Sequence, residues 1–320
     1  MKKILKYAVI VSCCITTLGA AAQKNGRDFT DIDAAAKKVG RLDSMTMGTI
    51  TNLLTRNLED KTDKARAIFT WITNNIAFDF KNARNGVTEK NASADVLLFR
   101  KATGAGYANL FQDMCSSAGI RCLTVNGFIK YGTEQIGDTK TEINHTWNVV
   151  QLGQSPDAWY YVDACMGSGY TDEAFKSFTK AFNPDYFFAD LTIFNWEHYP
   201  DNTAWYLGPH VKGKNDFFDM PVVKPAAYSL GLKKITPDNG RLKIKVNKPV
   251  NFSYQVSLDA EVSKVAIVMG EGKKKKTKDI DFVLNGRTLS FNYKFEEEDN
   301  FPLTILVNGK EFMQYNAEIE

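Results

Sequence analysis

The chain has 320 residues, of which 44% are hydrophobic and 24% charged, with a formal net charge of +3. That is enough apolar material for two packed domains. The small excess of basic residues, with no basic recognition motif, excludes an ordinary nucleic-acid binder. Three histidines are present, no spacing of Cys and His matches a metal site, and no cofactor is expected.

Lys2 and Lys3 precede an uncharged, mostly apolar run from Ala8 to Ala22 that ends in three alanines. This is the pattern of a secretory signal peptide cut near Gln23, and the run is short for a transmembrane helix. Residues 1–22 are therefore set apart from the fold. The mature chain is expected to be periplasmic or extracellular, without a transmembrane helix. Ile10-Val11-Ser12-Cys13 offers a second route, in which the protein is anchored as a lipoprotein through Cys13. Cleavage leaves Cys115, Cys122 and Cys165, an odd number that argues against a full disulfide framework. One bond, such as Cys122 to Cys165, is compatible with an oxidising compartment.

Two short amphipathic segments follow, one with Ile32, Ala35 and Val39 on a face, the other with Ile50, Leu53, Leu54 and Leu58. Asp63 is placed to cap a helix over 64–76 whose apolar face is Ala67, Ile68, Trp71, Ile72 and Ile76. Phe78 and Phe80 then alternate, 81–92 is polar and turn-rich, and a short helix over 94–99 leads to the central stretch, Lys101 to Cys115. There Tyr107, Leu110, Phe111 and Met114 recur three to four apart, the spacing of a helix face. The small residues Gly104, Ala105 and Gly106 open it. The first turn of such a helix, with free amides and a positive end, would stabilise a thiolate or another anion. Gly104 and Ala105 supply no nucleophile there, and a plain core helix fits equally well.

Beyond the Ala118-Gly119 stop, 122–130, 145–152 and 159–164 read as strands. Gly127 marks a bulge or a close approach, and residues 153–157 carry turn chemistry. A meander would set His145 and Asp163 side by side on adjacent strands, where an aspartate fixes the tautomer of an imidazole and stabilises its charged form. A buried hydrogen-bonded pair with no catalytic role satisfies the same pattern.

Together, the segments 64–80, 104–111, Ala118-Gly119-Ile120, 145–148 and 159–164 resemble the core of a transglutaminase-like domain. The resemblance implies a papain-like arrangement of cysteine, histidine and aspartate. The family's cysteine stands two residues before the Gly-Tyr pair, here Gly106-Tyr107, so its position falls on Gly104. The histidine falls on His145, followed by Thr146, Trp147 and Asn148, and the aspartate falls on Asp163. Residues 186–207, with Phe187, Phe188, Trp196, His198, Tyr199, Pro200 and Trp205, resemble the closing segment of kyphoscoliosis-peptidase-like members; His198 is read as structural or exposed, with lining a cleft as the other option. Cys115 is expected in the helix core, roughly 16 Å along the axis from residue 104. Thr103 offers a hydroxyl nearby.

Residues 209–228 read as a linker or first edge element. From Leu242 the pattern turns to short alternating strands, with hairpin signals at Asn285-Gly286 and Asn308-Gly309. Lys273 to Lys276 reads as a solvated hairpin tip. The fold class is therefore α+β: a transglutaminase-like, papain-like domain over 23–208, followed by an antiparallel β-sandwich over 209–320, for which an immunoglobulin-like arrangement is one option. The function this implies is an exported pseudoenzyme that binds or scaffolds a peptide, protein or cell-envelope polymer. The alternative is an acyltransferase or peptidase using another nucleophile with His145 and Asp163.

Overall fold

The computed structural model describes residues 27–86, 90–153, 158–171 and 175–320. The expected signal peptide, Cys13 and residues 154–157 of the expected turn lie outside the described residues.

Helices α1 (Thr30–Val39), α2 (Met47–Thr55) and α3 (Lys61–Asn75) open the fold. The cap of α3 is Asp60 rather than Asp63: its carboxylate accepts from the amides of Thr62 and Asp63, while Asp63 pairs with Arg27 at 2.7 Å. The expected apolar face of α3 is buried, and so is every residue from Ala65 to Thr73. Enclosing Arg66 requires a counter-charge. Asp33 on α1 supplies it through two hydrogen bonds of 2.8 and 2.7 Å. That pairing fixes the rotation of α1. Ala36, three residues after Asp33, is buried, and Ala35 is exposed, contrary to the face read from the sequence.

Strand β1 (Ala77–Phe78) pairs in parallel with β2 (Lys101–Ala102). Between them lie α4 (Phe80–Arg84) and α5 (Ser93–Phe99). The central helix α6 (Gly104–Ser117) starts at the glycine expected to open it. It leads to β3 (Arg121–Ile129), β4 (His145–Gln151) and β5 (Trp159–Val162), then to β6 (Gly169–Thr171) and β7 (Phe178–Lys180). Helix α7 (Leu191–Glu197) runs directly into β8 (His198–Pro200). The main sheet of this half is antiparallel with order β5-β4-β3-β8.

Gly127 sits in the middle of that sheet, opposite His145 on β4 and Pro200 on β8. A Cβ there would collide with the carbonyl of Tyr199 and the ring of Trp147. The close approach foreshadowed by the glycine is thus the seat of β8.

The stretch after 208 carries α8 (Lys214–Asp219), β9 (Val222–Val223) and α9 (Ala226–Ser229). Two sheets follow. One has order β10 (Lys234–Thr236), β12 (Pro249–Gln255), β16 (Thr288–Lys294), β15 (Val283–Asn285), and the other has order β11 (Arg241–Ile244), β18 (Lys310–Ile319), β17 (Asp299–Val307), β13 (Val265–Met269), β14 (Lys276–Ile280). Strand β9 adds to β18. Their pairings are antiparallel except β11 with β18, which is parallel. The sheets face each other through Phe252 and Tyr254 on one side and Phe312 and Tyr315 on the other, with ring centroids 5.8 and 5.0 Å apart. Lys273 to Lys276 is exposed at the β13–β14 connection, as expected of a solvated tip.

Buried contacts join the two halves. Phe217 and Phe218 of α8 pack on Phe128 and Tyr199. Lys130 donates from Nζ to the carbonyls of Phe217 and, at 2.8 Å, Met220. Burial pulls the pKa of that ammonium down to about 7, against the attraction of Asp219. Cys115, Cys122 and Cys165 are all buried free thiols. The Cys122–Cys165 bond that the sequence left open is therefore not formed: Cys122 neighbours Cys115, whose thiol interacts with it across the α6–β3 packing.

Candidate active site

The site lies where the start of α6 meets the start of β4 and the end of β5. The register pairs Asn148 with Val162, so Asp163 comes just after the last ladder position. The strand alternation that carries the sheet past this point leaves His145 and Asp163 on one face, as diagonal rather than direct neighbours. Their side chains nonetheless meet: His145 Nε2 and Asp163 Oδ2 are 2.6 Å apart.

Beyond the ladder, the backbone amide of Asp163 donates to the Tyr186 carbonyl at 2.9 Å, and its Oδ1 accepts from the Met166 amide at 2.9 Å. Both bonds fix the carboxylate. Oδ2 accepts a second imidazole, His198 Nε2, at 3.2 Å. Burial by itself would raise the pKa of Asp163, but the charge of and hydrogen bonds from His145, together with His198, outweigh it and hold the carboxyl well below its ordinary range. An ionised carboxylate only accepts, so both Nε2 atoms carry protons and donate.

His198, for which the sequence favoured a structural or exposed role over lining a cleft, is the third member of the cluster. It is fully buried, which corrects the exposed reading. It reaches the site because β8 docks on β3 beside Gly127, with Ile129 opposite His198. Phe194 stacks on its ring at 3.8 Å between centroids. The faint signal was His198-Tyr199-Pro200 following an apolar helix, with a glycine mid-strand at 127.

Behind His198 lies Glu197, also buried. Its carboxylate accepts from Tyr186 at 2.8 Å and from Tyr228 of α9 at 2.7 Å. Burial raises the pKa of Glu197, with the charge of His198 and the two phenol hydrogen bonds opposing. Two hydrogen-bonded groups therefore lie side by side, His145–Asp163–His198 and Tyr186–Glu197–Tyr228, with 3.8 Å between His198 Nδ1 and Glu197 Oε2.

At the helix start, Gly104 faces His145. A Cβ on Gly104 would stand 2.8 Å from Nδ1 and 3.0 Å from Cε1 of that ring. The imidazole thus fills the space a side chain at 104 would need. Among the described residues, Thr103, Tyr107, Cys165 and Cys115 stand in other surroundings. Thr103 donates its hydroxyl proton to Asn91 Oδ1 at 2.7 Å. Tyr107 is buried, its hydroxyl lying 2.7 Å from the Ile76 carbonyl and 3.1 Å from Ser168 Oγ. Burial, reinforced by the Asp163 charge, pushes the Cys165 thiol well up, so it is not a thiolate. Cys115 is in the core, as expected. The arrangement can orient and polarise an imidazole, but His145 has no S–H or O–H at residue 104 from which to take a proton.

Among the described residues, no helix is long and apolar enough to cross a membrane. Residues 48–164 match the family model of the transglutaminase-like superfamily. The chain is 29% identical over 248 residues to kyphoscoliosis peptidase of Mus musculus, covering 77% of this chain and 36% of that protein. It is 30% identical over 212 residues to kyphoscoliosis peptidase of Homo sapiens, covering 66% and 31%. It is 26% identical over 248 residues to Hillarin of Drosophila melanogaster, covering 70% and 30%. The match spans about a third of the length of these curated relatives. On the family match and the relatives, residues 48–164 of the chain form a domain of the transglutaminase-like superfamily.

Proposed function

We propose that this protein is an exported, catalytically inactive transglutaminase-like protein that acts by binding or scaffolding a peptide, protein or cell-envelope polymer. The observation that carries the reading is at residue 104. The position the family pattern gives to the nucleophile is a glycine, and the imidazole that would serve as base lies 2.8 Å from where its side chain would begin. Without a nucleophile, His145 and Asp163 retain the geometry of a base and its orienting acid but have no acyl acceptor to activate. Partner contact then falls on the surface of the two halves, since the triad itself is buried. Export rests on the composition of residues 1–22.

The test is an assay of the purified chain against a mixed peptide and amine-donor library, with a thiol-directed acylating probe alongside. No turnover and no labelling are expected for the wild type. Turnover that survives thiol blockade and vanishes in His145→Ala would overturn the reading and identify a different nucleophile. Mass measurement of the mature N-terminus tests export: a start near Gln23 supports soluble export, and a lipidated Cys13 would replace it with an anchored form.

A further inference from the structure

Among the described residues, His145, Asp163 and His198 bring three ligating atoms within 4.8 Å of one another, and all three side chains are buried. Two imidazole nitrogens, once their protons move off Nε2, and a carboxylate oxygen make a donor set suited to a zinc-class ion. Ligand atoms around a tetrahedral zinc stand roughly 3.3 Å apart, from bonds of about 2.0–2.2 Å. The His198–Asp163 separation of 3.2 Å already matches that spacing. The His145–Asp163 contact of 2.6 Å has to open by roughly 0.7 Å to reach it.

A second observation points the same way. His198 Nδ1 is a buried atom with no hydrogen-bond partner, on a side chain of 0% exposure. It lies 3.8 Å from Oε2 of Glu197. A neutral imidazole that donates its single proton from Nε2 to Asp163 turns a bare lone pair toward that carboxyl oxygen. Metal at Nε2 would move the ring proton to Nδ1, which has to close the 3.8 Å to Glu197 Oε2 by roughly 0.8 Å to donate to it. Metal-bound histidines characteristically carry a carboxylate or carbonyl at the other ring nitrogen, which sets the tautomer and the ring's orientation. Glu197 is placed for that role.

We propose that His145 and His198, each through Nε2, and Asp163, through Oδ2, form a binding site for one divalent transition-metal ion of the zinc class. Three protein ligands leave a fourth position for water. Asp163 Oδ1 stays with the Met166 amide, so the carboxylate binds through one oxygen. The site stands on the two imidazoles and the unpartnered Nδ1, and it holds whether or not the glycine at 104 abolishes turnover.

The experiment uses the full mature chain without a polyhistidine tag, stripped with a chelator and titrated with Co²⁺ as the spectroscopic probe. The expected result is one equivalent bound, with the ligand-field absorption of a four-coordinate nitrogen–oxygen site, displaced stoichiometrically by Zn²⁺. His198→Gln and Asp163→Asn should each weaken binding by more than about 100-fold, beyond the roughly 10- to 100-fold expected for Glu197→Gln, which touches only the outer partner. The third histidine, His210, is exposed, and His210→Ala should change nothing. The wild-type titration is decisive even where a variant fails to fold. Absence of Co²⁺ binding together with a thermal midpoint that Zn²⁺ does not raise overturns the site. Binding that persists in folded His198→Gln, or is lost in His210→Ala, overturns it as well.

Discussion

Tyr228, on α9, donates its hydroxyl proton to Oε2 of Glu197 over 2.7 Å, so a residue of the second half completes the hydrogen bonding of a buried carboxyl beside the site. Tyr228→Phe keeps the ring packing and removes only the donor. Leaving that buried oxygen without its partner should cost about 1–3 kcal/mol. Denaturant unfolding measures it; a loss under about half a kcal/mol would mean that the carboxyl oxygen finds another donor.

Gly104→Ala should destabilise by about 1–3 kcal/mol, because the new methyl meets a ring held by Asp163 and flanked by Trp147 and His198. The same substitution in His145→Ala should cost almost nothing, since the obstructing ring is gone. Four unfolding curves close the cycle, and additive effects would show that the ring is not what crowds residue 104. By the same geometry, Gly104→Cys restores a thiol only if His145 shifts, so probe labelling should lag behind the thiol's simple presence.

Asp163→Asn should cost about 3–5 kcal/mol near neutral pH, because it removes one partner of a buried charged set. The pH dependence has a definite sign. The carboxyl's pKa is held below its ordinary value, so its stabilisation is complete above about pH 4 and is lost as pH falls toward the folded value. The stability gap between wild type and variant should narrow below about pH 4. A gap that widens on acidification would contradict the assignment of Asp163 as the ionised member.

Lys130 gives the same sign in a higher pH window, because burial rather than ion pairing lowers its pKa. Its folded pKa of about 7 lies below the ordinary 10.5. Below pH 7 both states hold the proton and there is no slope. Between these values the unfolded chain holds a proton that the folded chain has released, so stability rises with pH. Relative to Lys130→Met, the wild type should gain up to roughly 1 kcal/mol per pH unit between pH 7 and 9, a window below the titration of ordinary tyrosines. Parallel curves for the two proteins would show that the ammonium remains charged, held by the carbonyls of Phe217 and Met220.

The elements legible in the sequence were those whose signal is local. Tyr107, Leu110, Phe111 and Met114 define α6 by spacing, and all are buried. Asn285-Gly286 and Asn308-Gly309 mark two hairpins, between β15 and β16 and between β17 and β18, where Gly286, Asn308 and Gly309 have positive φ. The His145–Asp163 contact was legible because both lie on neighbouring strands, although the last paired residue of β5 is Val162 and the two meet diagonally. What was not legible depends on partners distant in the chain. The exposed, lysine-rich β14 has almost no apolar residue to reveal it, and it exists because β13 offers an edge. Asp60 displaced Asp63 as the cap of α3 because the helix begins at Lys61, three residues earlier than its apolar face suggests, and Arg27 pairs with both carboxylates. His198 joined the site through a three-residue strand whose position is set by tertiary packing.

The missing side chain at 127 ties two distant positions into one inheritance. Any Cβ there would hold β8 off β3 and carry His198 away from Asp163. A glycine in β3 and a histidine at the end of α7 should therefore travel together among chains of this architecture. A sequence that keeps His145 and Asp163 but has a bulky residue at the position of Gly127 should lack the second imidazole, whatever stands at the position of Gly104.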